Sequence, residues 1–109
     1  MLTSSGAGAH AYAAWGAYGA SKAAVNHVAM TLAVEEPDVV TVAVRPGVVD
    51  TDMQRQLREV YVDKMDEKDQ EKFLGLKREE KLLRPEQPGN VMARLVLDAG
   101  KELSGKFVR

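Results

Sequence analysis

Three regimes of apolar patterning follow one another along the chain. In "AYGASKAAVNHVAMTLAVEE", starting at Ala17, alanine is frequent and Val25, Val28, Ala29, Leu32 and Ala33 recur at helical spacing. A helix is predicted over Ala17 to Glu35, closed by Pro37. Val39 to Val44, "VVTVAV", is a short continuous run rich in β-branched residues. Its length and lack of alternation predict a strand covered on both faces, as in a parallel sheet. From Gln54 to Lys81 charge dominates, and Leu57, Val60, Tyr61, Met65, Phe73, Leu74 and Leu76 leave only a thin apolar stripe. That pattern predicts one or two exposed amphipathic helices.

Shorter signals fill the gaps. Met1 to Ser4 reads as a strand stub, followed by a loop of small residues. Pro46-Gly47 is a turn, and Asp50, Thr51 and Asp52 are candidate N-caps for a helix beginning near Met53. A further helix runs from about Glu86 to Gly100, and "GKFVR" is a final short strand. Such alternation predicts an α/β fold with a parallel sheet, with residues 54–81 as an exposed segment of it. There is no internal repeat.

Composition narrows the function classes. The 109 residues suffice for one small domain, and a net charge of −1 gives no electrostatic case for nucleic acid or an anionic membrane as a partner. The absence of cysteine excludes a disulfide scaffold and a thiolate site. His10 and His27 lack ligand-like spacing to carboxylates, so no metal site is expected. Met1 to Ser21 holds no Asp, Glu, Lys or Arg, but its glycine content argues against a membrane span. It reads as buried or cleft-lining polypeptide of a cytoplasmic protein.

Candidate chemistry sits in "YGASK". Tyr18 and Lys22, four apart, share one face of the predicted helix. A free phenol releases its proton only near pH 10, too high for a shuttle at neutrality. An ammonium one turn away favours the phenolate. Gly19, Ala20 and Ser21 would let a bulky ligand approach. Alone the spacing is weak and also fits ordinary helix surface. Its context is more specific: Ser5 lies thirteen residues earlier, just after the strand stub, and "RPGVVDT" follows the next strand.

"SSGAG", "YGASKAAV" and "VAVRPGVVDTDM" together resemble the C-terminal half of a short-chain dehydrogenase/reductase, near the fungal carbonyl-reductase branch with the sepiapterin and benzil reductases. The resemblance implies a Rossmann-type doubly wound sheet. It implies catalytic roles for Ser5 (substrate carbonyl), Tyr18 (general acid/base) and Lys22 (nicotinamide ribose and phenolate). Pro46, Gly47, Val49 and Thr51 would line the nicotinamide end of NADP(H) or NAD(H), with NADP(H) preferred. His10, Trp15 and Met53 are candidates for the substrate pocket, and residues 54–81 for a mobile lid. The partner would be a small carbonyl or alcohol. The family's glycine-rich phosphate turn has no counterpart here, since Gly6 and Gly8 follow a different strand. It would precede Met1, so this chain alone is expected to bind the dinucleotide weakly and to be inactive. Apolar surface at Ala13, Ala14, Val25, Val28 and Ala29 would then be open to association or oligomerisation. A second reading from another class is a non-catalytic module that pairs with a fuller reductase-like subunit.

Overall fold

The computed structural model describes residues 1–109. Three parallel strands, β1 (Leu2–Thr3), β2 (Ala43–Val44) and β3 (Phe107–Val108), form a sheet in the order β1-β2-β3. Leu2 pairs with Ala43 and Ala43 with Phe107, which fixes the register. β2 is the middle strand, and the apolar run around it is the core: Thr41, Val42, Ala43 and Val44 are all buried.

The strand expected over Val39 to Val44 is shorter than its sequence suggests. Its neighbours offer ladder partners for only two residues. Before Ala43 the backbone is satisfied differently. The Thr41 N–H donates to the Ser104 hydroxyl at 3.1 Å, and its carbonyl accepts from the Gly105 N–H at 2.7 Å. Val39 is left 55% exposed. The continuous apolar run thus reports burial correctly and strand length incorrectly.

α1 (Gly16–Glu35) connects β1 to β2 and lies against both. Ala29 is its one fully buried residue, with Val25, Leu32 and Ala33 half-buried, while Ala17, Ala20, Ala23 and Ala24 are exposed. This corrects the expectation that Ala29 is uncovered; Ala13, Ala14 and Val28 are exposed, and so are Met30 and Val34. α2 (Asp52–Glu59), a short 3-10 turn (Val62–Lys64) and α3 (Glu67–Arg78) form the charged outer segment. Thr51 is the N-cap residue of α2, but its hydroxyl turns to the Val49 carbonyl at 3.4 Å. Asp66 does cap α3, accepting the Asp69 N–H at 2.9 Å. α4 (Glu86–Asp98) precedes β3 and exposes Val91, Val96 and Leu97. The molecule is a slab of 45 × 28 × 17 Å, thin enough that 11 of 109 residues are buried. No helix is long and apolar enough to cross a membrane.

Candidate active site

The site begins where the chain leaves β1. Ser4 is buried, and its hydroxyl donates to the Asn26 side-chain oxygen at 2.6 Å, tying the strand end to α1. The following 3-10 turn, Gly6–Gly8, then presses onto the helix backbone to backbone. A Cβ on Gly8 would sit 2.7 Å from the Lys22 carbonyl carbon, and one on Gly19 2.9 Å from the Ala7 oxygen. Only glycine permits either approach. The space at Gly19, which the sequence suggests for a ligand, is therefore taken by the loop.

That seam holds the candidate residues in place. Ser5 is the N-cap of the turn, its Oγ accepting the Ala7 N–H at 3.2 Å. Tyr18 and Lys22 are both on α1, with Lys22 Nζ 5.7 Å from the centroid of the Tyr18 ring. Lys22 Nζ also donates to the Thr3 carbonyl at 3.0 Å, so the ammonium is anchored to the end of β1.

A cleft of about 690 Å³ opens beyond the carboxyl ends of β1 and β2. It brings together Ser5, Tyr18 and Lys22 with Pro46, Gly47, Val49 and Thr51, and also Trp15 and Met53. His10 stands apart: it is exposed and borders neither this cleft nor the smaller one described next. The turn beyond Gly8 carries its side chain into solvent. Gly47 has φ +87°, and an added Cβ would meet Leu83 Cδ1 at 2.9 Å. This loop is fixed by a parallel bridge from Val49 to Leu83. Asp50 ties it to the outer helices through Lys77 at 2.8 Å and, more loosely, Arg58 at 3.8 Å. The Lys77 hydrogen bond, with its charge and that of Arg58, holds the Asp50 carboxyl below the usual carboxylate range.

The smaller cleft, about 410 Å³, lies against the outer segment and shares Trp15, Tyr18 and Met53 with the larger one. Leu57, Tyr61 and Met65 complete its apolar wall with Ala14, which adopts φ +64° just before α1. Nearby, Trp15 stacks on Phe73 with centroids 5.5 Å apart and meets the Tyr18 ring edge-on at 5.6 Å. Tyr12 joins at 5.3 Å from Trp15, and Lys72 donates to its hydroxyl at 2.9 Å. From the sequence, Leu57, Tyr61, Met65 and Phe73 are expected in the thin apolar stripe of a lid segment and not among the pocket-lining residues. The spacing of the first three, four residues apart in turn, was the available signal that they share a face.

Comparison with known proteins agrees with this geometry. Residues 1–61 match the short chain dehydrogenase family. A benzil reductase ((S)-benzoin forming) of Saccharomyces cerevisiae is 44% identical over 113 aligned residues, covering 100% of this chain and 43% of its own length. An uncharacterized oxidoreductase of the same yeast is 51% identical over 87 residues, 79% of this chain and 34% of its own. The chain thus spans less than half the length of these relatives. The crystal structure of the KRED1-Pglu enzyme superposes with a TM-score of 0.94 at 44% identity, over 97% of this chain and 45% of that one. The match over more than half the sequence, and the superposition over nearly all of the fold, place this chain in the short-chain dehydrogenase family of oxidoreductases.

Proposed function

We propose that this chain carries the proton-transfer site of a carbonyl reductase that uses a nicotinamide dinucleotide. The observation that carries this reading is the position of Tyr18 on the border of both clefts. A carbonyl held in the smaller cleft would present its oxygen to the phenol, with its carbon facing the larger cleft. Ser5 Oγ already accepts from Ala7 N–H, which leaves its own proton free to donate to the carbonyl oxygen. Tyr18 passes its phenolic proton to that oxygen, which becomes the alcohol hydroxyl. The phenolate left behind is stabilised by the Lys22 ammonium one helical turn away. Alcohol oxidation runs the same transfers in reverse.

The larger cleft suits the nicotinamide end of NADP(H) or NAD(H), which supplies or accepts the hydride when bound. The cleft lies outside the carboxyl ends of parallel strands, the usual ligand position in open α/β sheets. Lys22 keeps two ammonium protons beyond the one given to Thr3, and the Thr51 hydroxyl, which donates to the Val49 carbonyl, keeps its acceptor lone pairs. Pro46, Gly47 and Val49 line the same wall. Gly8 is pressed against α1 and cannot also cradle a pyrophosphate. Calorimetric titration of this chain alone should therefore show weak dinucleotide binding; low-micromolar affinity would contradict this division of labour.

The test is a chimera in which the preceding half of the yeast benzil reductase is joined to this chain, assayed by nicotinamide absorbance. Lys22→Met should shift alcohol oxidation to higher pH, because the phenolate loses its cation. Ser5→Ala should lower turnover with little change in cofactor affinity. A pH profile untouched by Lys22→Met would remove the assigned role of the lysine.

A further inference from the structure

Seven of the eight residues that line the smaller cleft are aliphatic, thioether or aromatic. Trp15, Met53, Leu57, Tyr61 and Met65 supply rings, thioethers and an aliphatic chain; Lys64 is the single charged residue in its lining. Lys64 enters no salt bridge and no side-chain hydrogen bond. The acids beside it in sequence do not neutralise the cleft. Asp66 is committed to the α3 cap, and neither Asp63 nor Asp66 borders the cavity.

This combination selects among occupants. Aromatic and thioether walls favour a flat aromatic body, which gains contact area with little ordering cost. A neutral ligand leaves the ammonium to water and gains nothing from it. An anion placed there would regain a charge-assisted hydrogen bond. A lysine stem can lie along the apolar wall while its ammonium stays at the wet rim. Resting on the assignment of this cleft to the substrate, we propose that it selects aromatic carbonyl compounds bearing a carboxylate remote from the carbonyl, and that Lys64 is the residue that reads the anion.

The chain as it stands can test this, because its single tryptophan lines the cleft. The Trp15 indole N–H gives one resolvable resonance in a ¹⁵N-correlated spectrum. Titrate 4-acetylbenzoate and acetophenone separately and follow that signal. The anionic ketone should bind roughly three- to five-fold more tightly, the scale of a solvent-accessible ion pair. Lys64→Met should erase the preference and leave acetophenone affinity unchanged. Raising the salt from low to high concentration should erode the preference in the unmodified chain, which keeps the test open if the variant folds poorly. Equal affinities for the two ketones, or a preference that survives Lys64→Met, would overturn the role of Lys64 while leaving the cleft assignment standing. If neither ketone moves Trp15 in a well-dispersed spectrum, the substrate assignment of the cleft falls, and the proposal falls with it.

Discussion

The two walls of the site are built on different physical terms. The inner wall, from Ser4 to Gly8 against α1, is a contact of backbone on backbone that Gly8 and Gly19 alone permit. The outer wall, from α2 to α3, is held by exchangeable side chains: Phe73 on Trp15, Lys72 on Tyr12, and Asp50 to Lys77. A backbone seam leaves little freedom, so it suits groups that must meet a reacting atom in one geometry. A wall of rings and surface ion pairs can shift without unfolding the sheet, so it suits choice among substrates. The first wall fails when an atom is added and the second when atoms are removed.

The largest expected effect is in the outer wall. Phe73 is 5% exposed and is the ring of α3 that packs on the Tyr12–Trp15 pair. Phe73→Ala should cost about 3–5 kcal/mol locally. Hydrogen exchange should show α3 amides losing protection while those of α1 keep theirs. Loss of protection in both helices together would mean that the walls are one cooperative unit.

The inner wall should respond to a single methyl group. Gly8→Ala must push apart the turn and the Lys22–Ala23 backbone, at a cost of roughly 1–3 kcal/mol. Gly89 is a counter-example in α4: nothing lies within 4 Å of a Cβ there, so Gly89→Ala should stabilise by up to about 1 kcal/mol. Urea midpoints of the two variants should move in opposite directions. Movement in the same direction would show that the Gly8 contact is not tight in solution.

The smallest effect is electrostatic. The Asp50 carboxyl, held low by Lys77, favours the folded state above the usual carboxylate value near 4. Its contribution is lost as pH falls through the lowered folded value. Protection of α3 should decline in that acid range, and Lys77→Met should flatten the decline. An unchanged acid profile in the variant would assign the loss to other carboxylates.

How much of this was legible in the sequence follows from the range of each interaction. α1 was readable because its periodicity is local, and "YGASK" because its two members are one helical turn apart. Ser5, Pro46, Gly47, Val49 and Thr51 were placed through a resemblance, and they do converge on one cleft. His10 does not join them, because the direction of a loop side chain depends on a turn that no periodicity encodes. The role of Gly19 was missed because its neighbour, Ala7, belongs to another element. Phe73 meets Trp15 across 58 residues of chain, and an aromatic in a charged stretch does not name its partner. Strand length failed for a similar reason: Thr41 is buried, but its N–H donates to the Ser104 hydroxyl and its carbonyl accepts the Gly105 N–H in place of a ladder.

The central claim is that the inner wall performs the chemistry and the outer wall chooses the substrate. Kinetics of the chimera with two tyrosine variants test it most directly, because Tyr18 is on α1 and Tyr61 belongs to the outer segment, yet both border the smaller cleft. Tyr18→Phe keeps the ring and removes the proton, so kcat should fall by about 10²–10⁴-fold with KM nearly unchanged. Tyr61→Phe should alter KM by less than about tenfold and leave kcat intact. Equal and small losses of kcat from both variants would contradict the account, and "YGASK" would then be only helix surface.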